Sequence, residues 1–268
     1  MALLDDKNVI FLGGLHRSGT TVLAKVLAGH PRISGFHDTG ARRDEGQHLQ
    51  TVFSPANVHG GPGRFAFDPG AHLTEDDATA GDDERLASQW APYWDLGKDY
   101  LLEKSPPNLI RMRYFQALFP SARFIVVVRH PLVVSLATRK WERRGLAFLL
   151  RHWLAAHERC AGDAGRLRSL LVVSYERLTS EPQSTLAAIH GWLGLRDADP
   201  RGHARLEGSN DRYFARWRDM RSSVARGLYA RSIERRFDAA VARYGYRMRD
   251  QTADVRPLRE LFPRAEVP

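Results

Sequence analysis

The sequence predicts an α/β fold of three layers, a central parallel sheet flanked by helices. Three observations predict it. An apolar run at 9–12 breaks at Gly13 and Gly14 and opens into a helix-periodic stretch, Val22, Leu23, Val26 and Leu27. A continuous apolar run, RFIVVV at 123–128, has the pattern of a strand buried on both faces. Strand-like and helix-like segments alternate along the 268 residues without an internal repeat. The whole chain, 1–268, reads as one domain with a loop or lid inserted at about 45–100.

The elements follow in order. The first strand leads through its glycine turn to a helix that stops at Gly29, His30 and Pro31. A short strand is expected at 33–36. The polar loop HDTGARRDEG at 37–46 then leaves the strand end, where open α/β sheets bind ligands. Residues 59–83 are rich in Gly, Asp and Pro and hold no periodicity. They read as the lid, with Phe65 and Phe67 as anchors. Residues 84–96 look helical, with Trp90, Tyr93 and Trp94 on an apolar face. A strand at 100–103 turns at Lys104 and Ser105 into a helix at 109–119 that stops at Pro120. The strand at 124–128 ends in Arg129. Helices are expected at 132–143 and 146–168. A strand at 170–173 runs into Tyr175, and helices follow at 181–195 and 224–244.

At 43% hydrophobic residues the chain can bury a full core. Its formal charge is +9, and apart from Lys7, Lys25, Lys98, Lys104 and Lys140 its 40 basic residues are arginine. The arginine fork suits bidentate contact with phosphate or sulfate. No basic stripe interleaved with aromatics and no zinc pattern appears, so nucleic acid is not an expected partner. Cys160 is the only cysteine, which rules out an intrachain disulfide and a cysteine-based zinc site. No apolar run reaches membrane-spanning length. The first strand begins at about residue 8, leaving no room for a signal peptide, so a cytoplasmic protein is expected.

The first turn is an anion cradle. Gly14, His16, Arg17, Ser18, Gly19, Thr20 and Thr21 surround it, and unpaired N–H groups at the helix start point into it. The spacing is that of a phosphate-binding P-loop, yet the lysine of the GK[ST] pattern is absent and the basic residue is Arg17. Kinases and NTPases hold Mg²⁺ with a carboxylate at the end of a core strand. Here that strand ends in Arg129, which favours a second phosphate over a metal. A P-loop kinase using ATP–Mg²⁺ and a non-catalytic nucleotide- or anion-binding protein remain the alternatives.

Four motifs then converge. Gly14, Arg17, Ser18, Gly19, Thr20 and Thr21 form the first. Glu103, Lys104, Ser105 and Pro106 form the second. FIVVV with Arg129 and Pro131 is the third. Tyr175, Glu176 and Leu178, with Pro182 and Trp192 to Leu195, are the fourth. Together they resemble the sulfotransferase superfamily, enzymes that use 3′-phosphoadenosine 5′-phosphosulfate (PAPS), over about residues 8–195. The likeness is to the tyrosylprotein and carbohydrate branch and to bacterial homologues. It implies a P-loop-type fold, the product adenosine 3′,5′-bisphosphate (PAP) and no required metal. It further implies that Arg17 and the Ser-Gly-Thr-Thr run hold the 5′-phosphosulfate, that Arg129 holds the 3′-phosphate, and that Tyr175 lies near the nucleotide. A serine usually stands eight residues after that arginine; here the position is Ala137, and Ser135 and Thr138 are the substitutes. Lys104 matches the lysine at the transferring group, with Glu103 to orient it. Glu45, Gln47 and His48 match the Glu-x-Gln/His pattern of the catalytic base, which makes Glu45 the first choice and His37, Asp38 and His48 the alternatives. The acceptor would be a hydroxyl, or secondarily an amine, on a small molecule, glycan or lipid.

Overall fold

The computed structural model describes residues 3–4, 6–195 and 208–268. Among them, five strands form one sheet: β1 (Asn8–Gly14), β2 (Ile33–Gly35), β3 (Tyr100–Lys104), β4 (Arg123–Val128) and β5 (Leu170–Ser174). Their order is β2-β3-β1-β4-β5 and every pairing is parallel. The helices are α1 (Thr20–Ala28), α2 (Asp82–Trp90), α3 (Met112–Leu118), α4 (Pro131–Thr138), α5 (Leu146–Ala164), α6 (Tyr175–Ser180), α7 (Pro182–Leu193), α8 (Asn210–Ser222), α9 (Val224–Ala242) and α10 (Arg256–Leu261).

The period of two along each strand divides the core in two. Phe11, Leu101, Phe124, Val126 and Val172 face one side, with α2 to α5 and α8 to α10. Ile10, Leu12, Leu102, Ile125, Val127 and Val173 face the other, with Leu23 and Leu27 of α1, Leu178 of α6 and Ile189 of α7. This is the three-layer arrangement that the apolar runs imply. In register, Leu12 lies opposite Lys104 and Gly14 opposite Val127. The C-terminal ends of β1, β3 and β4 therefore lie side by side, and the segments carrying Arg17, Lys104 and Arg129 leave the same end of the sheet.

Several boundaries differ from the sequence reading. The helix expected at 109–119 is a 3-10 turn, Pro106–Ile110, followed by α3, with Arg111 non-helical between them at φ −133° and ψ 8°. Buried Arg111 donates to the carbonyls of Ala71 and Ser54, and those tertiary bonds prevail over helical periodicity. The helix expected at 132–143 ends at Thr138, which places Trp141 on a loop. Tyr175 starts α6 rather than ending a strand, capped by the Ser174 hydroxyl. Helix α8 goes unseen in the sequence because Phe214, Trp217 and Met220 make a narrow buried stripe amid arginines.

The 59–83 segment is not a bare lid. It forms 3-10 turns at Phe65–Phe67, Pro69–Ala71 and Glu75–Asp77, and Phe65, Ala66 and Ala71 are fully buried. Phe65 meets His152 edge-on at 5.0 Å, while Phe67 is 39% exposed and leans on Phe148. Phe65→Ala should therefore cost about 3–5 kcal/mol in urea denaturation, a large core truncation. Phe67→Ala should cost under about 1.5 kcal/mol, as befits a half-exposed ring. Equal costs would contradict this packing.

Candidate active site

The P-loop is held open by its own backbone. Gly14 and Gly19 have φ of +144° and +105°. A Cβ at Gly19 would also lie 2.5 Å from the Tyr175 ring, so this position needs glycine twice over. The Ser18 hydroxyl, Arg17 Nε and His16 Nδ1 are buried and have no hydrogen-bond partner among the described residues. Buried polar atoms left unpaired in this way mark a place where a ligand completes the bonding. Thr20 is buried at the start of α1. Burial of the His16 ring, with the charges of His152 and Arg42, pushes its pKa down to about 3, so it is a neutral hydrogen-bonding group.

Arg129 emerges from β4 and is 5% exposed. Its guanidinium lies 3.8 Å from the centre of the Tyr175 ring. Nη1 donates to the Arg17 carbonyl at 2.9 Å. Burial lowers its pKa, Tyr175 and Glu176 oppose that shift, and Arg17 adds to it. Among the described residues it forms no salt bridge. Among the described residues, two cations thus share one end of the sheet with no carboxylate paired to either, a standing attraction for an anion. Ser135 and Thr138 do not reach this group. The Ser135 hydroxyl faces a cavity of about 10 Å³ with His16 and His152, and the Thr138 hydroxyl donates to the Val134 carbonyl at 2.8 Å.

A second cluster forms at the end of β3. Lys104 and Glu103 point to opposite faces of the sheet. The Lys104 ammonium donates to the Arg43 carbonyl at 2.9 Å and lies 3.4 Å from Glu45 Oε1. Burial lowers its pKa against the pull of Glu45 and Glu103. Glu45 is 3% exposed, and its Oε2 accepts from the Gln47 amide at 2.6 Å. His48 Nε2 stands 3.9 Å from that carboxylate; burial foremost lowers its pKa, so it is neutral near pH 7.

Glu103 does not orient Lys104 by a hydrogen bond. It fastens the Glu45 loop instead, accepting from Gly46 N at 2.9 Å, Ser105 Oγ at 2.6 Å and the Asn108 amide. Ser105 Oγ in turn accepts from Gln47 N, and Trp90 Nε1 donates to the Gly46 carbonyl. These bonds bring Glu45 to Lys104 across 59 residues of sequence.

The described non-glycine residues with positive φ are Arg17, Asp38, Arg43 and Asp44. All sit in the P-loop or the loop after β2. Backbone conformations that disfavour side chains tend to collect at functional sites. That loop borders a cavity of about 690 Å³ lined by Thr21, Lys25, His37, Asp38, Arg43 and Lys104 among others. The His37 and Asp38 side chains are exposed there, 3.7 Å apart. A smaller pocket of about 30 Å³ is lined by His16, Arg42, Arg43, Glu45, His48 and Trp141. Arg43 borders both. Arg17, Arg42, Arg43 and Lys140 lie 4.9–5.9 Å from the centre of the Trp141 ring, giving this wall a positive field.

Sequence reasoning missed Trp141, Arg43 and the start of α8. Ser209, Asn210 and Tyr213 fold back onto Arg129 and Arg17 from the far end of the chain. Burial pushes the Tyr213 phenol up, but its hydrogen bond with Arg17 and the charges of Arg212 and Arg17 outweigh that and lower its pKa. The only sequence signal was the Ser-Asn pair, a common way to begin a helix.

Residues 9–199 match the sequence pattern of the sulfotransferase family. The chain belongs to that family. Protein-tyrosine sulfotransferase 2 of Gallus gallus is 28% identical over 204 residues, covering 71% of this chain and 52% of the relative. Protein-tyrosine sulfotransferase 1 of Danio rerio is 25% identical over 207 residues, covering 71% and 54%. The chain thus spans about half the length of these curated relatives. Among solved structures, it is similar to a sulfotransferase from Mycobacterium tuberculosis, at TM-score 0.49 and 14% identity, covering 97% of this chain and 77% of the other. The sulfotransferase domain from the curacin biosynthetic pathway matches at TM-score 0.45 and 18% identity, covering 78% and 82%.

Burial foremost raises the Glu103 pKa to about 7 from 4.5, against the hydrogen bonds of Ser105 and Asn108. The folded protein therefore holds this proton at pH values where the unfolded chain has released it. The stabilisation is full below the unfolded pKa and is lost as pH rises through the folded one, a span of about 3 kcal/mol. Between pH 5 and 8, thermal unfolding of the wild type should show this decline and Glu103→Gln should lack it. The same slope in both proteins would contradict the assignment.

Proposed function

We propose that this sulfotransferase-family chain moves a sulfuryl group from PAPS to an acceptor hydroxyl, an amine being the alternative nucleophile. The observation that carries the reading is the pairing of Arg17 and Arg129 at one end of the sheet, with no carboxylate paired to either among the described residues, beside Lys104 and Glu45. The donor set fits PAPS. The unpartnered Arg17 Nε and Ser18 Oγ, with Gly19, Thr20 and Thr21, suit the 5′-phosphosulfate, and Arg129 suits the 3′-phosphate. The Tyr175 ring adjoins both Gly19 and Arg129, which suits a position beside the nucleotide.

PAPS would supply a sulfuryl group activated by a phosphate leaving group. Transfer breaks the bond between sulfur and the bridging phosphate oxygen and forms one from sulfur to the acceptor oxygen. Glu45 takes the acceptor proton, as a general base must. Lys104 and Arg17 place positive charge where the departing phosphate gains negative charge. Arg43 and Trp141 line the approach. The relatives' names make a tyrosine hydroxyl the first acceptor to try, and the cations around Trp141 favour one flanked by acidic groups.

Isothermal titration should show tight PAP binding without Mg²⁺; binding of ATP–Mg²⁺ in its place would overturn the reading. Glu45→Gln and Asp38→Asn discriminate the base. With radiolabelled PAPS and a panel of phenols and of neutral and acidic tyrosine peptides, Glu45→Gln should lower turnover by about 100-fold or more with PAP affinity retained. Asp38→Asn should stay close to wild type. The reverse pattern moves the base to Asp38.

A further inference from the structure

Arg129 carries five N–H donors. Four have partners among the described residues: Nε and Nη2 donate to Asn210 Oδ1 at 2.9 and 2.8 Å, Nη2 also to Ser209 Oγ at 2.8 Å, and Nη1 to the Arg17 carbonyl. The fifth, on Nη1, has none. Every one of these acceptors is neutral, so among the described residues no carboxylate bonds this buried guanidinium directly, and Glu176 acts on it only through space and through Asn210.

The contacts from α8 are built rather than incidental. Asn210 Nδ2 donates to Glu176 Oε1 at 2.8 Å. Glu176 also accepts from His130 N at 3.0 Å, Tyr246 OH at 3.0 Å and Ser174 Oγ at 3.2 Å. A carboxylate on one side and a guanidinium on the other leave the Asn210 amide one orientation. Its oxygen is therefore fixed against the Nε edge of Arg129 and turns the fork. Ser209 differs. Its oxygen accepts from Nη2, which leaves its own O–H to donate. It is the side-chain hydroxyl bonded to this guanidinium, whereas Thr138 is committed to Val134 and Ser135 lies in the small cavity with His16.

We propose that Ser209 is a ligand for the phosphate held on Arg129, donating its hydroxyl beside the free Nη1–H, and that Asn210 positions the guanidinium for it. The phosphate site is then closed by a segment 80 residues beyond Arg129. Under the PAPS reading, on which this assignment rests, the ligand is the 3′-phosphate.

The test compares PAP with adenosine 5′-phosphate, which lacks the 3′-phosphate, by isothermal titration. Wild type should prefer PAP. Ser209→Ala and Asn210→Ala should each weaken PAP by about tenfold or more, the loss of a charge-assisted hydrogen bond, and leave adenosine 5′-phosphate unchanged. Ser209→Thr should restore PAP binding, a result that a merely structural role does not produce. Equal losses for both ligands, or no loss for either, overturn the assignment while the PAPS reading stands. A wild type without preference for PAP overturns both. Unchanged thermal unfolding of Ser209→Ala shows that the loss is local.

Discussion

A buried arginine with no carboxylate partner among the described residues is the constraint on which this structure turns. Removing a guanidinium from water is costly unless its hydrogen bonds and charge are met. Arg129 meets most of the first requirement with three neutral oxygens and the Tyr175 face, and among the described residues only the more distant Glu176 answers the second. The contacts that hold it reach several elements. Tyr175 begins α6 and presses on Gly19, so the P-loop must have glycine there. The Arg17 carbonyl is held by Arg129, which ties the loop's strained backbone to β4. The start of α8 is anchored by the same guanidinium and by Glu176. An anion entering here meets cations already fixed in place, with little reorganisation left to do.

The second half of the site is fixed by a different device. Adjacent residues of a strand point to opposite faces. Lys104 therefore enters the site, while Glu103 turns away and holds Gly46 and Ser105. The polar loop after β2 could have been a solvated excursion. Fastening it to the end of β3 makes it a wall, and the positive φ values at Arg43 and Asp44 are tolerated because both of its ends are held. Asp44 contributes by accepting from Thr39 N at 2.9 Å and Thr39 Oγ1 at 2.8 Å. The 59–83 segment packs behind this wall through Phe65, with Arg111 donating to the Ala71 carbonyl within it and the Ser54 carbonyl before it, so it acts as a buttress.

Much was legible in the chain itself. The apolar runs, the glycine break and the alternation of elements specify a parallel three-layer sheet, because strands buried on both faces have few other arrangements. The P-loop composition and Arg129 at a strand end specify an anion site, because local sequence sets where a strand stops and which side chain follows it. Helix limits were less legible at 109–119 and 132–143. At 109–119, tertiary bonds of Arg111 decide where the α-helix begins, and propensity yields to them.

The tertiary structure alone decided which distant groups meet. Glu103 reaches Gly46, Trp141 comes over Arg17, and Ser209 and Asn210 close on Arg129. Each partner lies 57 or more residues away, and no periodicity records such a pairing. Strand register and helix packing bring these groups within hydrogen-bond reach. The sequence thus determined that two cations would flank a phosphate-binding turn. Only the fold determined that, among the described residues, no carboxylate would pair with them and that the Ser209 hydroxyl at the start of α8 would stand beside Arg129, because charge compensation depends on which side chains share a volume.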